Sequence, residues 1–169
     1  MIAVAKIIGF DPESVSDGPG VRFAIYFSGC RHQCSGCHNP DAQDFGAGMD
    51  FSEQVQEKLI THIAHCPIIN GVTLTGGDPM FSAVEVLRFA LRLRETLPSV
   101  NIWLYTGFTY EELTSAEQVM LLDQCDILVD GRFEQDKLDQ SMQFRGSTNQ
   151  RIINLAATRS AGEITIWRG

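Results

Sequence analysis

The chain has 169 residues, of which 44% are hydrophobic and 20% are charged, a composition typical of a globular protein and, at this length, of one domain. Thirteen Lys plus Arg stand against 21 Asp plus Glu, and the net charge of -8 argues against nonspecific nucleic-acid binding. No apolar run approaches the roughly 18 residues of a membrane-spanning helix, and no secretory signal begins the chain. We therefore expect a cytoplasmic protein.

The sequence predicts β/α units, because short β-rich segments alternate with segments of helical period. Such alternation favours a mainly parallel sheet of about five to six strands, too few to close an eight-stranded barrel. We therefore predict an α/β fold, a single-domain partial (open) β/α barrel that spans residues 1–169. The predicted strands, in chain order, are 3–10, 22–28, 71–75, 101–106 and 126–130, with shorter ones at 151–154 and 163–167.

Three helix starts are predicted from capping signals. Ser82 with Glu85, and Thr109 with Glu112, have the spacing of a capping box, in which a hydroxyl and a carboxylate satisfy free backbone N–H groups. Ser52 is expected to cap a further helix. On that helix the apolar side chains recur about every four residues, and Cys66 falls on the same face, where we expect it to pack in the core.

Three of the five cysteines lie within eight residues, as Cys30-x-x-x-Cys34-x-x-Cys37, directly after the second predicted strand. Thiolates bind soft metals, and a [4Fe-4S] cluster with three cysteine ligands leaves one iron open to a substrate. Structural zinc would instead need a fourth protein ligand. The candidates for it are His32, His38, Cys66 and Cys125. Spacing alone leaves zinc and iron-sulfur equally supported, whereas the odd cysteine count argues against disulfides.

Other informative segments follow the next predicted strands. Gly76-Gly77-Asp78-Pro79 comes after the strand at 71–75, and Thr106 and Asp130 stand at the ends of the two strands after that. The carboxyl ends of parallel strands meet at one edge of a sheet, where ligands bind in open β/α folds. We therefore expect these segments and the cysteine loop to lie together.

The cysteine motif at 30–37 resembles the signature of the radical S-adenosylmethionine superfamily. Its neighbours, Asp17-Gly18-Pro19-Gly20-Val21-Arg22 and His38-Asn39-Pro40, resemble those of the glycyl-radical-enzyme activases. The short chain and the segment Arg145-Gly146-Ser147-Thr148-Asn149-Gln150-Arg151 are similar to the branch that activates anaerobic ribonucleoside-triphosphate reductase. The resemblance extends from about residue 8 to residue 153.

This resemblance implies the radical S-adenosylmethionine type of partial barrel and a definite chemistry. The open iron of a [4Fe-4S] cluster would bind S-adenosylmethionine, whose reductive cleavage gives a 5′-deoxyadenosyl radical. That radical would take hydrogen from a glycine of the partner reductase. A flavodoxin or ferredoxin would suit such chemistry as electron donor. The cofactor carries the reaction, so no acid–base pair is expected in the protein.

The resemblance also implies site residues. Cys30, Cys34 and Cys37 match the cluster ligands. The residues that match cosubstrate-binding positions are Gly36, Cys37, His38, Gly76, Gly77, Asp78, Thr106 and Asp130. Two departures are noted: Gly36 stands where many members have an aromatic residue, and Asp78 stands where the superfamily has glutamate, which has a longer reach. A polar patch that meets the reductase or completes the cosubstrate pocket is expected from Arg145, Asn149, Gln150 and Arg151, with a solvated loop before the last strand as the alternative.

The remaining expectations concern single side chains. His32, His62 and His65 are expected to be solvated surface residues without a role in proton transfer. Residues 17–20 are expected either to close over the cysteine loop or to connect the first two strands. Cys125 is expected to be buried, and the residues expected in the core are Phe23, Phe27, Phe81, Phe89 and Trp103.

Three other functions are left open by the sequence. One is an activase for a formate-lyase-type glycyl radical enzyme, although such activases generally have a longer carboxyl-terminal half. Another is a radical enzyme that acts on a small molecule. The third is a zinc-binding interaction module without catalytic activity, since zinc uses the same thiolate ligands.

Overall fold

A computed structural model describes residues 4–169. Its framework is one sheet of seven strands in the order β3-β1-β2-β4-β5-β6-β7. The strands are β1 (Lys6–Ser14), β2 (Arg22–Phe27), β3 (Met49–Asp50), β4 (Gly71–Gly76), β5 (Asn101–Tyr105), β6 (Ile127–Asp130) and β7 (Arg151–Asn154). The middle strands β2, β4, β5 and β6 are parallel. β1, β3 and β7 pair antiparallel at the two sides, and the sheet is not closed.

Four helices cover one face of the sheet: α1 (Glu53–His65), α2 (Ala83–Thr96), α3 (Ala116–Gln124) and α4 (Leu155–Ala161). Ser52 caps α1 by accepting a hydrogen bond from the Val55 N–H, as predicted. Thr109 and Glu112 form the predicted capping box, but it caps only a 3₁₀ helix at Tyr110–Glu112, and α3 begins later with Ser115 as its cap. No helix among residues 4–169 is long and apolar enough to cross a membrane.

The core lies mainly between the helices and this face of the sheet. Alternate residues of each strand point into it, such as Phe23 and Phe27 of β2 and Ile102 and Leu104 of β5, and all four are fully buried. The opposite face is covered by a smaller aromatic cluster around Trp103, against which Phe144 and Trp167 pack. Phe89, Trp103 and Cys125 are buried as predicted, whereas Phe81 is half-buried. Cys66, expected in the core, is also half-buried.

Several predicted elements differ in the structure. Residues 163–167 make only an isolated bridge, between Ile153 and Ile166, and the two-residue strand β3 was not predicted. Part of the first predicted strand, residue 3, lies outside the described residues. Ser82 precedes α2 but makes no side-chain cap, because a 3₁₀ helix at Pro79–Ser82 runs directly into α2 and is itself capped by Asp78.

Candidate functional site

The cysteine loop follows the carboxyl end of β2, as predicted. Backbone hydrogen bonds fix its first residues, from the Gly29 N–H to the Ala42 carbonyl (2.8 Å) and from the Cys30 N–H to the Gln43 carbonyl (3.1 Å). The Cys37 N–H closes a turn on the Cys34 carbonyl at 3.2 Å. All three cysteines are half-buried free thiols. The loop therefore presents three soft ligands at one end of the parallel strands.

The thiols fit an iron-sulfur cluster by their chemistry and number. Burial raises the pKa of Cys30 to about 11, with smaller contributions from the nearby charges of Asp78, Cys34 and Cys37. Cluster binding would therefore displace a proton from this thiol. Across residues 4–169, no three His, Cys, Asp or Glu side chains are already grouped as metal ligands.

The two zinc-ligand candidates outside the loop lie at the other end of the sheet. Cys66 and Cys125 end α1 and α3, and each of these helices ends where the next parallel strand begins. Cys125 is also fully buried and donates to the Leu121 carbonyl. Neither thiol is placed to complete a site with the cysteine loop.

Gly76 and Gly77 let the end of β4 pack against the backbone at the start of the cysteine loop. Gly76 has φ 111°, and a Cβ there would lie 2.4 Å from the Phe27 nitrogen. A Cβ on Gly77 would lie 2.4 Å from the Ala42 carbonyl oxygen. The Gly77 N–H donates to Phe27, and the Asp78 N–H donates to the Gly29 carbonyl at 3.0 Å. These glycines therefore permit a close backbone contact with the loop, whatever else they contact.

The Asp78 carboxylate is buried and accepts four hydrogen bonds. Its Oδ1 accepts from the Met80 N–H at 2.9 Å. Its Oδ2 accepts from Thr106 Oγ1 at 2.9 Å and from the Gly107 N–H at 3.0 Å. The fourth contact joins Oδ2 to His32 Nε2 at 2.7 Å. Asp78 and Thr106 thus lie together, as predicted, in a hydrogen-bonded centre between β4 and β5.

The expectation that His32 is a solvated surface residue is wrong. Its side chain is only 4% exposed, and its ring packs against the rings of Phe81 and Phe108, at centroid distances of 5.2 and 4.6 Å. The fold makes this contact by bringing the loop over the end of β5. His62 and His65 are exposed, as predicted.

Asp130 lies at the end of β6 but belongs to a separate ion-pair network. Arg151 donates from Nε to Asp130 Oδ1 at 3.0 Å and from Nη2 to Oδ2, and the Tyr110 N–H donates to Asp130 at 2.7 Å. Arg151 also forms two hydrogen bonds to Glu111 and lowers the pKa of that carboxyl to about 2. Asp130 and Arg151, predicted for different roles, are thus joined in one pair.

The segment from Arg145 to Arg151 is held by its own hydrogen bonds. Arg145 donates to the Gln150 carbonyl at 2.7 Å, and the Gln150 side chain binds the Gly146 and Ser147 N–H groups and the Gly131 carbonyl. Asn149 donates to the Arg132 carbonyl at 2.8 Å. The segment is an ordered loop closed on the end of β6, and its contact with a reductase stays a prediction.

Residues 36–38, which are expected to contact the cosubstrate, lie in a solvent-accessible part of the cysteine loop. Gly36, with φ 69°, and His38 are exposed, whereas Cys37 is half-buried. A Cβ on Gly36 would lie 2.8 Å from the Gln135 side chain. A cavity of about 570 Å³ is lined here by Ser35 and residues 133–136, within the size range of ligand pockets.

Residues 17–20 do not close over the cysteine loop. The Asp17 carboxylate accepts hydrogen bonds from Ser14 and from Tyr26 Oη, and its carbonyl accepts one from Thr73 Oγ1 at 2.7 Å. These contacts place the turn on the face of the sheet that carries Trp103, beside that ring. It is a connection between β1 and β2, which was the alternative expectation.

Comparison with known proteins decides the family. A sequence profile described as "4Fe-4S single cluster domain" matches residues 16–153. The chain is 39% identical over 144 residues to the anaerobic ribonucleoside-triphosphate reductase-activating protein of Vibrio cholerae, with 83% of this chain and 92% of that protein covered. The chain belongs to the family of anaerobic ribonucleoside-triphosphate reductase-activating proteins.

Further members of the activating-protein family show the same extent of similarity. The protein of Escherichia coli K12 is 35% identical over 147 residues, which are 85% of this chain and 95% of that protein. The protein of Enterobacteria phage T4 is 33% identical over 138 residues, which are 80% and 85%. The similarity thus spans most of each protein, and the range matched by the profile includes the cysteine loop, Asp78, Asp130 and Arg151.

Sequence reasoning missed three residues that contact the predicted site residues. His32 and Gly107 complete the Asp78 centre, and Glu111 completes the Asp130 network. The partners of His32 and Glu111 are 46 and 40 residues away, so no local pattern indicates them. The position of Gly107 directly after a predicted strand was the one available signal.

Proposed function

We propose that this protein activates an anaerobic ribonucleoside-triphosphate reductase as a radical S-adenosylmethionine enzyme. The observation that carries the proposal is the loop of three free, half-buried thiols at the carboxyl end of the parallel strands. It supports this function because a cluster with three thiolate ligands keeps one iron for a substrate. The relatives at 33 to 39% identity, which are named for this activation, give independent support.

The protein would hold the cluster through Cys30, Cys34 and Cys37. When bound and reduced, the cluster would supply one electron to the sulfonium of S-adenosylmethionine, whose cleavage yields methionine and the 5′-deoxyadenosyl radical that takes hydrogen from a glycine of the reductase. The residues 36–38 and Gly76, Gly77, Asp78, Thr106 and Asp130 remain our proposed surroundings of the cosubstrate. Half-burial of the thiols would limit access of water and oxygen to the reaction.

The finer expectations belong to the same proposal. We propose that residues 1–169 form one domain with the partial barrel of the radical S-adenosylmethionine type, whose open sheet has its helices on one face. We also propose a cytoplasmic location, a flavodoxin or ferredoxin as electron donor, and Arg145, Asn149 and Arg151 as part of the surface that meets the reductase. Of the two arginines, Arg145 binds only the Gln150 carbonyl among the described residues and keeps its positive charge for a partner, whereas Arg151 is paired with Asp130 and Glu111.

The experiment is anaerobic reconstitution followed by activation of the reductase. The reconstituted protein should be brown, contain about four irons per chain, and cleave S-adenosylmethionine when reduced. Mixed with a reduced donor, S-adenosylmethionine and the reductase, it should produce the doublet of a glycyl radical in electron paramagnetic resonance.

Each alternative function predicts a different result. A colourless protein that holds one zinc would contradict the proposal and favour a zinc module. Cleavage of S-adenosylmethionine without a doublet on the ribonucleotide reductase would favour a formate-lyase-type partner or a small-molecule substrate. A formate-lyase-type enzyme tested in parallel would separate those two.

A further inference from the structure

We propose that His32 is a positioning residue, which ties the cysteine loop to the carboxyl ends of β4 and β5 through the buried Asp78 carboxylate. The inference rests on the proposed function only in that the loop is taken to hold the cluster. His32 lies between Cys30 and Cys34 in the sequence. A contact at this residue therefore acts on the part of the loop that joins two ligands.

The contact of His32 with Asp78 is short and shielded from water. Nε2 lies 2.7 Å from Asp78 Oδ2, and the exposed fractions of the two side chains are 4% and 0%. Because Oδ2 also accepts from Thr106 and Gly107, the His32 nitrogen supplies the N–H. Hydrogen bonds to a buried carboxylate are stronger than those between neutral groups, so this one is suited to holding a loop.

The four donors leave the Asp78 carboxylate with little capacity to accept a further hydrogen bond. A carboxylate has about four lone-pair sites, and Asp78 receives one hydrogen bond each from His32, Met80, Thr106 and Gly107. Oδ2 accepts three of these hydrogen bonds and Oδ1 accepts one, so an added ammonium group would have to approach Oδ1 or displace a donor from Oδ2. We infer that Asp78 shapes the cosubstrate side of the site by holding the loop, more than by binding the cosubstrate directly.

The loop needs such an anchor, because its own backbone is not in regular structure. Gln33, the residue after His32, has φ 51°, in the left-handed region that side chains other than glycine disfavour. Between Cys30 and Cys37, the backbone hydrogen bonds are limited to the Cys30 contact with Gln43 and the turn from Cys34 to Cys37 in the described structure. His32 adds an attachment in the middle of this span.

A substitution at Gly107 offers a second, independent way to disturb the contact between His32 and Asp78. A Cβ at Gly107 would lie 2.4 Å from His32 Cδ2 and 2.7 Å from Nε2. The ring cannot move away freely, because Phe81 and Phe108 pack against it. Gly107→Ala should therefore displace His32 while every group of the cysteine loop and of Asp78 is kept.

The test compares His32→Phe, which keeps a ring but loses the donor, with His32→Gln, whose amide N–H can replace it. In metal-free, reduced protein, the alkylation rate of Cys30, Cys34 and Cys37 by iodoacetamide is measured by peptide mass spectrometry. Amide hydrogen exchange of residues 30–37 is measured alongside. We expect both rates to rise about tenfold in His32→Phe and Gly107→Ala, as for loss of a hydrogen bond to a charged group, and to return toward wild type in His32→Gln.

The control is His65→Ala, since His65 is exposed at the end of α1. Amide exchange in the core strand β5 must stay unchanged in each variant, because a general loss of fold stability would raise exchange there as well as in the loop. Rates in His32→Phe and Gly107→Ala within about twofold of wild type, well below the tenfold expected, would overturn the inference. If His32→Phe does not fold, Gly107→Ala decides alone.

The loaded protein gives a second readout, the rate of iron loss to a chelator. Iron should leave His32→Phe about tenfold faster than wild type and leave His65→Ala at the wild-type rate, since only the former loses the hydrogen bond. If wild type binds no cluster, the proposed function fails, and the alkylation and exchange rates still test the positioning role. If wild type binds and cleaves normally while His32→Phe matches it in all rates, only the inference fails.

Discussion

The two ends of the parallel strands differ: at the amino ends of β2, β4 and β5, the guanidinium of Arg22 joins the three strands, whereas the loop of three cysteines follows the carboxyl end of β2. Arg22 is 1% exposed and donates to Thr73 Oγ1, to the Val72 carbonyl and to both oxygens of Asn101, at 2.7 to 3.1 Å. The Trp103 ring covers it, at 5.4 Å. The cysteine loop instead has half-buried thiols and few backbone hydrogen bonds.

The difference indicates a division of roles along the same strands. All the hydrogen-bond acceptors of Arg22 are neutral, and burial lowers its pKa only to about 10, so the guanidinium and its four hydrogen bonds do not change in acid. The other end uses carboxylates, Asp78, Asp130 and Glu111, as acceptors. We expect substitutions at the amino end to change stability, and substitutions at the carboxyl end to change the chemistry.

The largest expected effect is that of Cys34→Ala. Loss of one of three thiolates should remove the complete cluster and abolish formation of the glycyl radical, while the metal-free protein unfolds at nearly the same denaturant concentration as wild type. Iron content, the radical signal and urea unfolding are the measurements. Cys66→Ala and Cys125→Ala should keep the cluster, because both thiols lie at the other end of the sheet. Loss of the cluster from either would contradict the ligand assignment.

Arg22→Met should have the largest effect on stability. It leaves buried acceptors on β4 and β5 without their donor, and we expect the free energy of unfolding to fall by about 3 kcal/mol. Urea unfolding measures this, and the folded fraction should still reconstitute its cluster. Arg88→Met, at an exposed position of α2, should stay within about 0.5 kcal/mol of wild type. If the Arg22→Met variant were stable but did not bind iron, the proposed separation of stability at the amino ends from chemistry at the carboxyl ends of the strands would be wrong.

Thr73→Val should have a smaller effect at the same end. The hydroxyl of Thr73 is buried, accepts from Arg22 and donates to the Asp17 carbonyl, each at 2.7 Å. Its loss should cost about 1 to 2 kcal/mol of unfolding free energy. Thr75→Val, two residues along the same strand and half-buried, is the matched control, with an expected change below about 0.5 kcal/mol. Equal losses of unfolding free energy in the two variants would refute the view that the Thr73 hydroxyl stabilises the protein through its hydrogen bonds with Arg22 and Asp17.

The smallest expected effect is a pH dependence at the carboxyl end. Because Arg151 lowers the pKa of Glu111 in the folded state to about 2, the stabilisation is present above the ordinary carboxyl range and disappears as the pH falls toward 2. Wild type should therefore exceed Glu111→Gln in stability by less than about 1 kcal/mol near neutral pH, since the pair is largely exposed. The two should converge between about pH 5 and pH 2, where Glu111 gains its proton. A constant difference across this range would contradict the ion pair.

The strands that carry the site could be predicted well, because each has a clear boundary in the sequence. β4 was expected at 71–75 and extends from Gly71 to Gly76, and β7 matches residues 151–154. The direction of β1 and β7 could not be predicted. An antiparallel strand at the side of a sheet has the same alternation as a parallel one, and only its partner determines its direction.

In the candidate site, too, local patterns were predictable from the sequence, whereas contacts between distant segments were not. The cysteine spacing and the glycines at 76–77 were visible locally, and their common edge followed from the parallel order of the strands. The placement of His32 was wrong, because its burial depends on Asp78, Phe81 and Phe108. Asp130 and Arg151 were expected in different roles, since nothing in the sequence pairs residues 21 positions apart.

The sequence by itself determined that three thiolates are available as metal ligands, the β/α order, and the end of the sheet where the thiols lie, because these depend on residue types and short spacings. Only the tertiary structure decided which polar groups are already bound to one another. Hydrogen bonds between distant segments, such as those of Asp78 with His32 and of Arg22 with Asn101, form when packing brings the partners together. For that reason, the roles of single side chains around the cysteine loop depend on the fold.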